Sequence, residues 1–429
     1  EVERAVQARA KQLDLDVSSE SGSRTLLSLI EDEIAQWSRD YESGVRSFDI
    51  AEPAVLAERA YRNMAGYGPL QPLLEDPDVW EVMVNAPDAI FVRRHHGRSG
   101  YHDEVFHDDD HVLRTMTKLL EDSHKSHRKL DPADGLQDAR LDDGARVHIV
   151  HGDIARDGHL LVNVRKFTGL PFRSLDELVM RGMLDAGAAS FLRACVRARL
   201  SIVFAGAPGA GKTTLLSCCA AELDQSLRVV VAEEVFESDI PLSNVAHMQT
   251  RPRRSDRAEV DLRRLVAGFL RMAPDFAIVG EVRDREAMPL LLTLSSGVKG
   301  FTTIHAASSR AALTRLRFVC QLSDSGSNLP MAALNSLVSD AVDVVVHSCR
   351  TGDRVWVDEI IAVEDHQGGA DSVAFTVTEM YRRSRPDEPL RWTGNLPVRA
   401  GRALDGVGID VMDLVEQDGT VGSAVGPLP

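Results

Sequence analysis

Gly206, four residues, then Gly211, Lys212 and Thr213 make the spacing of a phosphate-binding loop, here Gly206-Ala207-Pro208-Gly209-Ala210-Gly211-Lys212-Thr213-Thr214. Its glycines let backbone N–H groups turn onto a phosphate, and a helix starting at Lys212 aims its positive end there. Lys212 supplies a charge for the β- and γ-phosphates of ATP, and the Thr213 hydroxyl can ligate Mg²⁺. Three further chemical groups follow in order. Glu233, Glu234 and Glu237 end an apolar run and could hold the water shell of Mg²⁺. Glu281 follows Phe276 to Val279 and Gly280, and a carboxylate there can polarise an attacking water. His305 follows Phe301 to Ile304 and suits a γ-phosphate sensor or a coupler between strands.

These groups require strands that end at one edge. The run 201–205 reads as a buried strand and 212–223 as the helix after it. Runs 227–232, 276–279 and 301–304 read as further buried strands, with Glu281 one step beyond its own, and helices are predicted over 186–199, 260–272 and 286–295. Carboxyl ends of parallel strands are where open α/β sheets hold ligands. Upstream, turn signals at Gly68-Pro69, Asp76-Pro77 and Ala86-Pro87 separate short strands, and Asp142-Asp143-Gly144 suits a hairpin. Arg140, Arg146 and Arg165 then lie along consecutive strands, either as surface arginines or as cations for phosphate across a domain cleft. The expected organisation is a helical segment over 1–57 with SSESGSR as a hinge or loop, an α+β domain over 58–167, a linker over 168–178, an α/β domain over 179–415 and a disordered tail over 416–429. The helices of 1–57 either pack on a neighbour or form an acidic docking arm. The basic run Arg251, Arg253, Arg254 and Arg257 is either solvated or a subunit surface.

The bulk numbers narrow the class. With 49 Lys plus Arg against 65 Asp plus Glu, the net charge of -16 argues against coating nucleic acid by bulk electrostatics. Five cysteines without a C-x-x-C pair indicate neither a zinc ribbon nor a disulfide framework and fit a reducing cytosol. No apolar run reaches the roughly 18 residues of a membrane span, and no signal peptide is visible. The chain opens at Glu1 without methionine, so an upstream segment is expected to be missing.

The phosphate loop, VVVAEEVFE, APDFAIVGEVRDREA and GFTTIHA, in that order, resemble the secretion ATPases of bacterial type II and type IV systems. GYGPLQPLLEDPDVWEVMVN, DARLDDGARV and VRKF resemble the amino-terminal domain of the tight-adherence (Flp) pilus-assembly branch, the CpaF group, close to conjugation ATPases of the VirB11 type. The resemblance covers about 65–364. It implies an α/β fold, a RecA-like phosphate-loop domain preceded by a smaller α+β domain and an N-terminal helical segment. It implies a homohexamer that clamps ATP between the two domains and docks on an inner-membrane platform protein at the cytoplasmic face. Carried over by position, Lys212 and Thr213 bind phosphate and Mg²⁺, Glu281 is the catalytic glutamate, Glu233, Glu234 and Glu237 form the acidic box, His305 is the histidine of the His box, and Arg140 faces the nucleotide. Three positions depart from the family pattern: Glu234 stands for an aspartate, Val298 for a histidine and Ala273 for an arginine.

Overall fold

A computed structural model describes residues 1–414 except 18, 95–97, 124–129, 167–171, 252–257, 324–325, 327–328, 353, 366–373 and 386. The expectations for Arg253, Arg254 and Arg257, for the start of the linker and for the tail over 416–429 lie outside the described residues. The chain divides into two compact units, Glu1–Thr168 and Gly169–Pro429.

The first unit opens with helices α1 (Val2–Gln12), α2 (Glu20–Glu42) and α3 (Pro53–Ala65). Leu26, Ile30, Ile34 and Trp37 recur at helical spacing and are buried with Val2, Val6 and Ala60 in a core of their own. From Ser19 to Arg24, SSESGSR is not the hinge or loop expected, and Ser18 lies outside the described residues. Ser19 caps α2 by accepting from Gly22 N at 3.1 Å, so Glu20 to Arg24 form its first turns. A Cβ on Gly22 would lie 1.8 Å from the Asp16 carbonyl oxygen, so this glycine serves close packing rather than flexibility. α3 runs through position 57, where the helical segment is expected to end.

Then come α4 (Leu70–Glu75), β1 (Val79–Ala86), β2 (Ala89–Arg94), β3 (Gly100–Tyr101), α5 (Asp109–Asp122), β4 (Leu136–Arg140), β5 (Arg146–Val150) and β6 (Leu161–Arg165). The strands form one antiparallel sheet in the order β3-β2-β1-β6-β5-β4. Alternate residues such as Val82, Val84, Ile90, Val92, Val147, Ile149, Val162 and Val164 face a core shared with Val112, Met116 and Leu120 of α5. Arg140 sits opposite Arg146, and Arg146 opposite Arg165, so three arginines form one row across adjacent strands.

The second unit contains α6 (Leu175–Met180), α7 (Ala186–Arg197), β7 (Ile202–Gly206), α8 (Lys212–Ala220), β8 (Val229–Glu233), β9 (Val245–Gln249), α9 (Leu262–Ala267) and β10 (Phe276–Val282). It continues through α10 (Ala287–Ser295), β11 (Lys299–Ile304), α11 (Ser309–Leu322), α12 (Met331–Ala341), β12 (Val344–Thr351), β13 (Arg354–Val363), β14 (Val377–Arg382), β15 (Arg391–Trp392) and α13 (Val398–Asp405). The nine strands lie in the order β15-β14-β13-β12-β7-β11-β10-β8-β9. From β12 to β9 every pairing is parallel, and β13 to β15 add an antiparallel edge. Ile202 and Phe204 of β7 enter one core while Val203 and Ala205 enter the other, which is why the run is continuously apolar.

The helix expected over 260–272 is shorter. Asp261 caps α9 by accepting from Arg264 N, Val260 pairs with Arg251, and a separate 3₁₀ turn spans Phe269–Met272. β10 also runs on through Gly280 and Glu281 to Val282, so Glu281 lies inside the strand rather than one step beyond it. A shift of register against β11 between Val279 and Val282 marks the irregularity there.

Candidate functional site

β7, β11, β10 and β8 are consecutive in the sheet, and their carboxyl ends carry the phosphate loop, His305, Glu281 and Glu233-Glu234 respectively. The loop turns at Gly206, leaves Ala207, Pro208 and Gly209 exposed, buries Ala210 and enters α8 through Gly211. Gly211 caps α8 in the left-handed region at φ 76°. A Cβ there would lie 2.9 Å from Met183 Cε, so both conformation and space favour glycine. Thr213 and Thr214 are half-buried on the first turn of α8.

Lys212 is 7% exposed, and its Nζ donates to Ala207 O at 3.0 Å. The same ammonium stands 3.2 Å from His305 Nδ1, and His305 Nε2 lies 2.7 Å from Glu281 Oε1. His305 Nδ1 also lies 3.2 Å from Gly206 O, so this nitrogen meets both an ammonium and a carbonyl, and the tautomer decides which of the two it serves. Burial and the adjacent Lys212 charge lower the His305 pKa, which favours the neutral ring. Beyond Glu281, Arg283 Nη2 donates to Glu281 Oε2 at 2.6 Å and Arg283 Nη1 to Glu234 Oε2 at 2.6 Å. The contacts therefore run Lys212, His305, Glu281, Arg283, Glu234, in the order of the strands.

Burial pushes the Glu281 carboxyl up, but hydrogen bonding and charge from Arg283, with His305 and Lys212 behind it, outweigh burial and hold it below the usual range. Glu233 goes the other way. It is 2% exposed, and burial raises its pKa to about 7 although its Oε1 accepts from Ser238 N at 2.9 Å and Glu237 N at 3.2 Å. A Cβ on Gly280 would meet Glu233 Cγ at 2.8 Å, so the glycine before Glu281 makes room for Glu233. The acidic residues thus separate, with Glu233 turned inward and Glu234 paired with Arg283.

Arg283 is absent from the sequence candidates, although it follows Glu281 by two residues and pairs with two of them. Arg350 is also absent: a Cβ on Gly209 would lie 2.7 Å from its Nη1, so this guanidinium lies against the loop. Only the pairing of β12 with β7 brings it there, and no local signal marks it. Of the nucleotide candidates, Arg140 belongs to the first unit.

The residues fit a nucleotide and Mg²⁺. Exposed loop backbone precedes the N-terminus of α8, and the buried Glu233 Oε2 has no hydrogen-bond partner among the described residues. Three strand spacings, about 14 Å in total, separate β7 from β8, so Thr213 and Glu281 are the nearer pair for an ion at the loop.

Exchanging Arg283 for Met tests the electrostatics. Without the guanidinium, burial has less opposing it and the Glu281 pKa rises, so the acid limb of the pH–rate profile is expected to move to higher pH. Initial rates of the ATP hydrolysis expected from the sequence, taken between pH 5 and 9, measure this. An acid limb that stays put would mean that Glu281 is not the group titrating in turnover.

The Type II/IV secretion system protein family matches residues 63–384. Type IV secretion system protein PtlH of Bordetella pertussis is 31% identical over 304 residues, covering 65% of this chain and 87% of that protein. Conjugal transfer protein TrbB of Rhizobium radiobacter is 34% identical over 197 residues, covering 45% and 57%. Among solved structures, the VirB11 ATPase of the Brucella suis type IV secretion system, in complex with sulphate, is 27% identical, covering 68% of this chain and 94% of that one, at a TM-score of 0.37.

Proposed function

Because this chain belongs to the Type II/IV secretion system protein family, we propose that it is an ATP-hydrolysing motor of that family. It works as a homohexamer on an inner-membrane platform protein, at the cytoplasmic face, in a tight-adherence (Flp) pilus or a type II/IV-like protein-secretion machine. Among the described residues no helix is long and apolar enough to cross a membrane. Attachment through partners is part of the proposal. The observation that carries the proposal is the run of contacts from Lys212 through His305 to Glu281, which joins a phosphate-binding cation to a carboxylate kept ionised.

Backbone N–H groups between Gly206 and Lys212 cradle the phosphates of ATP. Lys212 exchanges Ala207 O and His305 for phosphate oxygens. Thr213, with Glu281 close by, would hold Mg²⁺, and Glu233 and Glu234 would reach its water shell from β8. When bound, the ion neutralises charge on the β- and γ-oxygens. Glu281 orients the attacking water in line with the γ-phosphate and accepts its proton, while Arg283 fixes the carboxylate and His305 ties it to the loop. Cations on both sides keep Glu281 ionised at neutral pH.

Phosphate release with and without Mg²⁺, beside oligomeric mass from light scattering, tests the proposal. Turnover that rises with assembly and falls at least roughly 10²-fold in Lys212→Ala is expected. Assembly with ATP but no turnover would overturn the motor and leave a nucleotide-dependent scaffold. The likeness to TrbB favours one second reading, a motor of conjugal transfer. Stimulation of hydrolysis by single-stranded DNA would favour that reading over pilus assembly, and an unchanged rate would count against it.

A further inference from the structure

A second cluster of ligand-type side chains lies on β12 and β13, and the candidate machinery above uses none of it. His347 Nδ1, Cys349 Sγ and an Asp358 carboxylate oxygen all lie within 4.8 Å of one another. His347 and Cys349 are two apart on β12, and Asp358 comes from the partner strand β13. Strand pairing aligns His347 with Glu359 and Ser348 with Val357, so Asp358 is the extra residue of a bulge. That bulge aims its carboxylate at the imidazole, with Asp358 Oδ1 2.6 Å from His347 Nδ1. Cys349 Sγ lies 3.9 Å from the same nitrogen.

We propose that these three side chains form a binding site for a borderline-soft divalent cation of the Zn²⁺ class. One nitrogen, one sulfur and one oxygen donor suit Zn²⁺ and disfavour Mg²⁺ and Ca²⁺, which take oxygen. Tetrahedral Zn²⁺ with bonds of 2.0–2.3 Å holds its ligand atoms about 3.3–3.8 Å apart. The present separations bracket that range, so side-chain rotation of an ångström or less brings the three atoms onto one ion. The outer shell is also in place. His347 Nε2 lies 3.3 Å from Ala306 O, and a ligating imidazole donates its second N–H to such a carbonyl, leaving Nδ1 bare for the metal. The other four cysteines are buried, whereas Cys349 and Asp358 are half-exposed and give the ion a way in. On binding, the Cys349 thiol releases its proton to solvent and a sulfur–metal bond replaces the S–H bond, with water as the fourth ligand. Ala306 follows His305 directly, so the ion would stiffen the backbone beside the phosphate-loop site.

Cobalt substitution tests the site on the whole chain without nucleotide. One equivalent of Co²⁺ is expected to give tetrahedral d–d bands and a thiolate-to-cobalt charge-transfer band, and Zn²⁺ is expected to displace both. Cys349→Ser should abolish the charge-transfer band, and Asp358→Asn should weaken Zn²⁺ binding at least roughly tenfold in competition with a chelating dye. Thermal melts of both variants establish that they fold. Lys212→Ala and Glu233→Gln should keep the charge-transfer band. Its absence from the unaltered protein, its survival in Cys349→Ser, or its loss in Glu233→Gln would each overturn the proposal.

Discussion

Glu281→Gln is expected to lower the ATP turnover number by roughly 10²- to 10⁴-fold, the span for loss of a positioned general base, while nucleotide binding persists. The amide keeps the length of the side chain and an oxygen for Arg283, but it cannot take a proton from water. Arg283 stays held by Glu234 at 2.6 Å, so the surrounding geometry survives the exchange. In the proposed site Lys212, Thr213 and the loop backbone would bind phosphate without Glu281, which is why affinity and turnover are expected to separate. Single-turnover phosphate release beside equilibrium binding of a fluorescent ATP analogue measures both, and a thermal melt establishes folding. A turnover number within a few-fold of the unaltered protein would remove Glu281 from the reaction and point to Glu234 on the other arm of Arg283.

Gly206→Ala is expected to cost much of the stability of the second unit. Gly206 ends β7 at φ 152° in register with Ser348 of β12, and a Cβ there would stand 2.3 Å from the Ser348 carbonyl oxygen. That oxygen belongs to a paired central strand and cannot yield cheaply. Parting β7 from β12 would disturb the apolar cores on both faces of the sheet. A loss of roughly 3–5 kcal/mol follows, at the upper end of single substitutions, which lowers the melting temperature by on the order of 10 °C in a unit of this size. Gly394→Ala is the control. Gly394 has φ 89° with nothing within 4 Å of its Cβ, so only the backbone term of about 1–2 kcal/mol applies. Equal melting temperatures for the two variants would show that the loop does not press on β12.

Much of this was legible because it is local. A strand, a glycine turn and a helix carrying Lys212 and Thr213 are neighbours in sequence, and so are Glu281 and His305 to the strands that bear them. Spatial order was not legible. Along the chain the groups run from the loop to Glu233, Glu281 and His305, whereas across the sheet His305 lies next to the loop and Glu233 lies farthest away. Crossover connections permute the strands, and no spacing records the permutation. Arg283 escaped for the same reason: Glu281 is two residues away, but its second partner, Glu234, is brought to it only by the meeting of β10 with β8. SSESGSR misled because serine and glycine suit both a loop and the start of a helix, and only the contact of Gly22 with Asp16 O decides between them. The row of Arg140, Arg146 and Arg165 followed from strand spacing alone.

The candidate groups hang from four adjoining strands whose apolar residues are buried on both faces. Backbone hydrogen bonds in such strands exchange their protons only when the whole unit comes apart, whereas exposed ends and loops open far more cheaply. The candidate groups are therefore mounted on strands that open only at high cost. In the motor proposed above the site is the anvil, and whatever travels during a stroke is to be sought elsewhere.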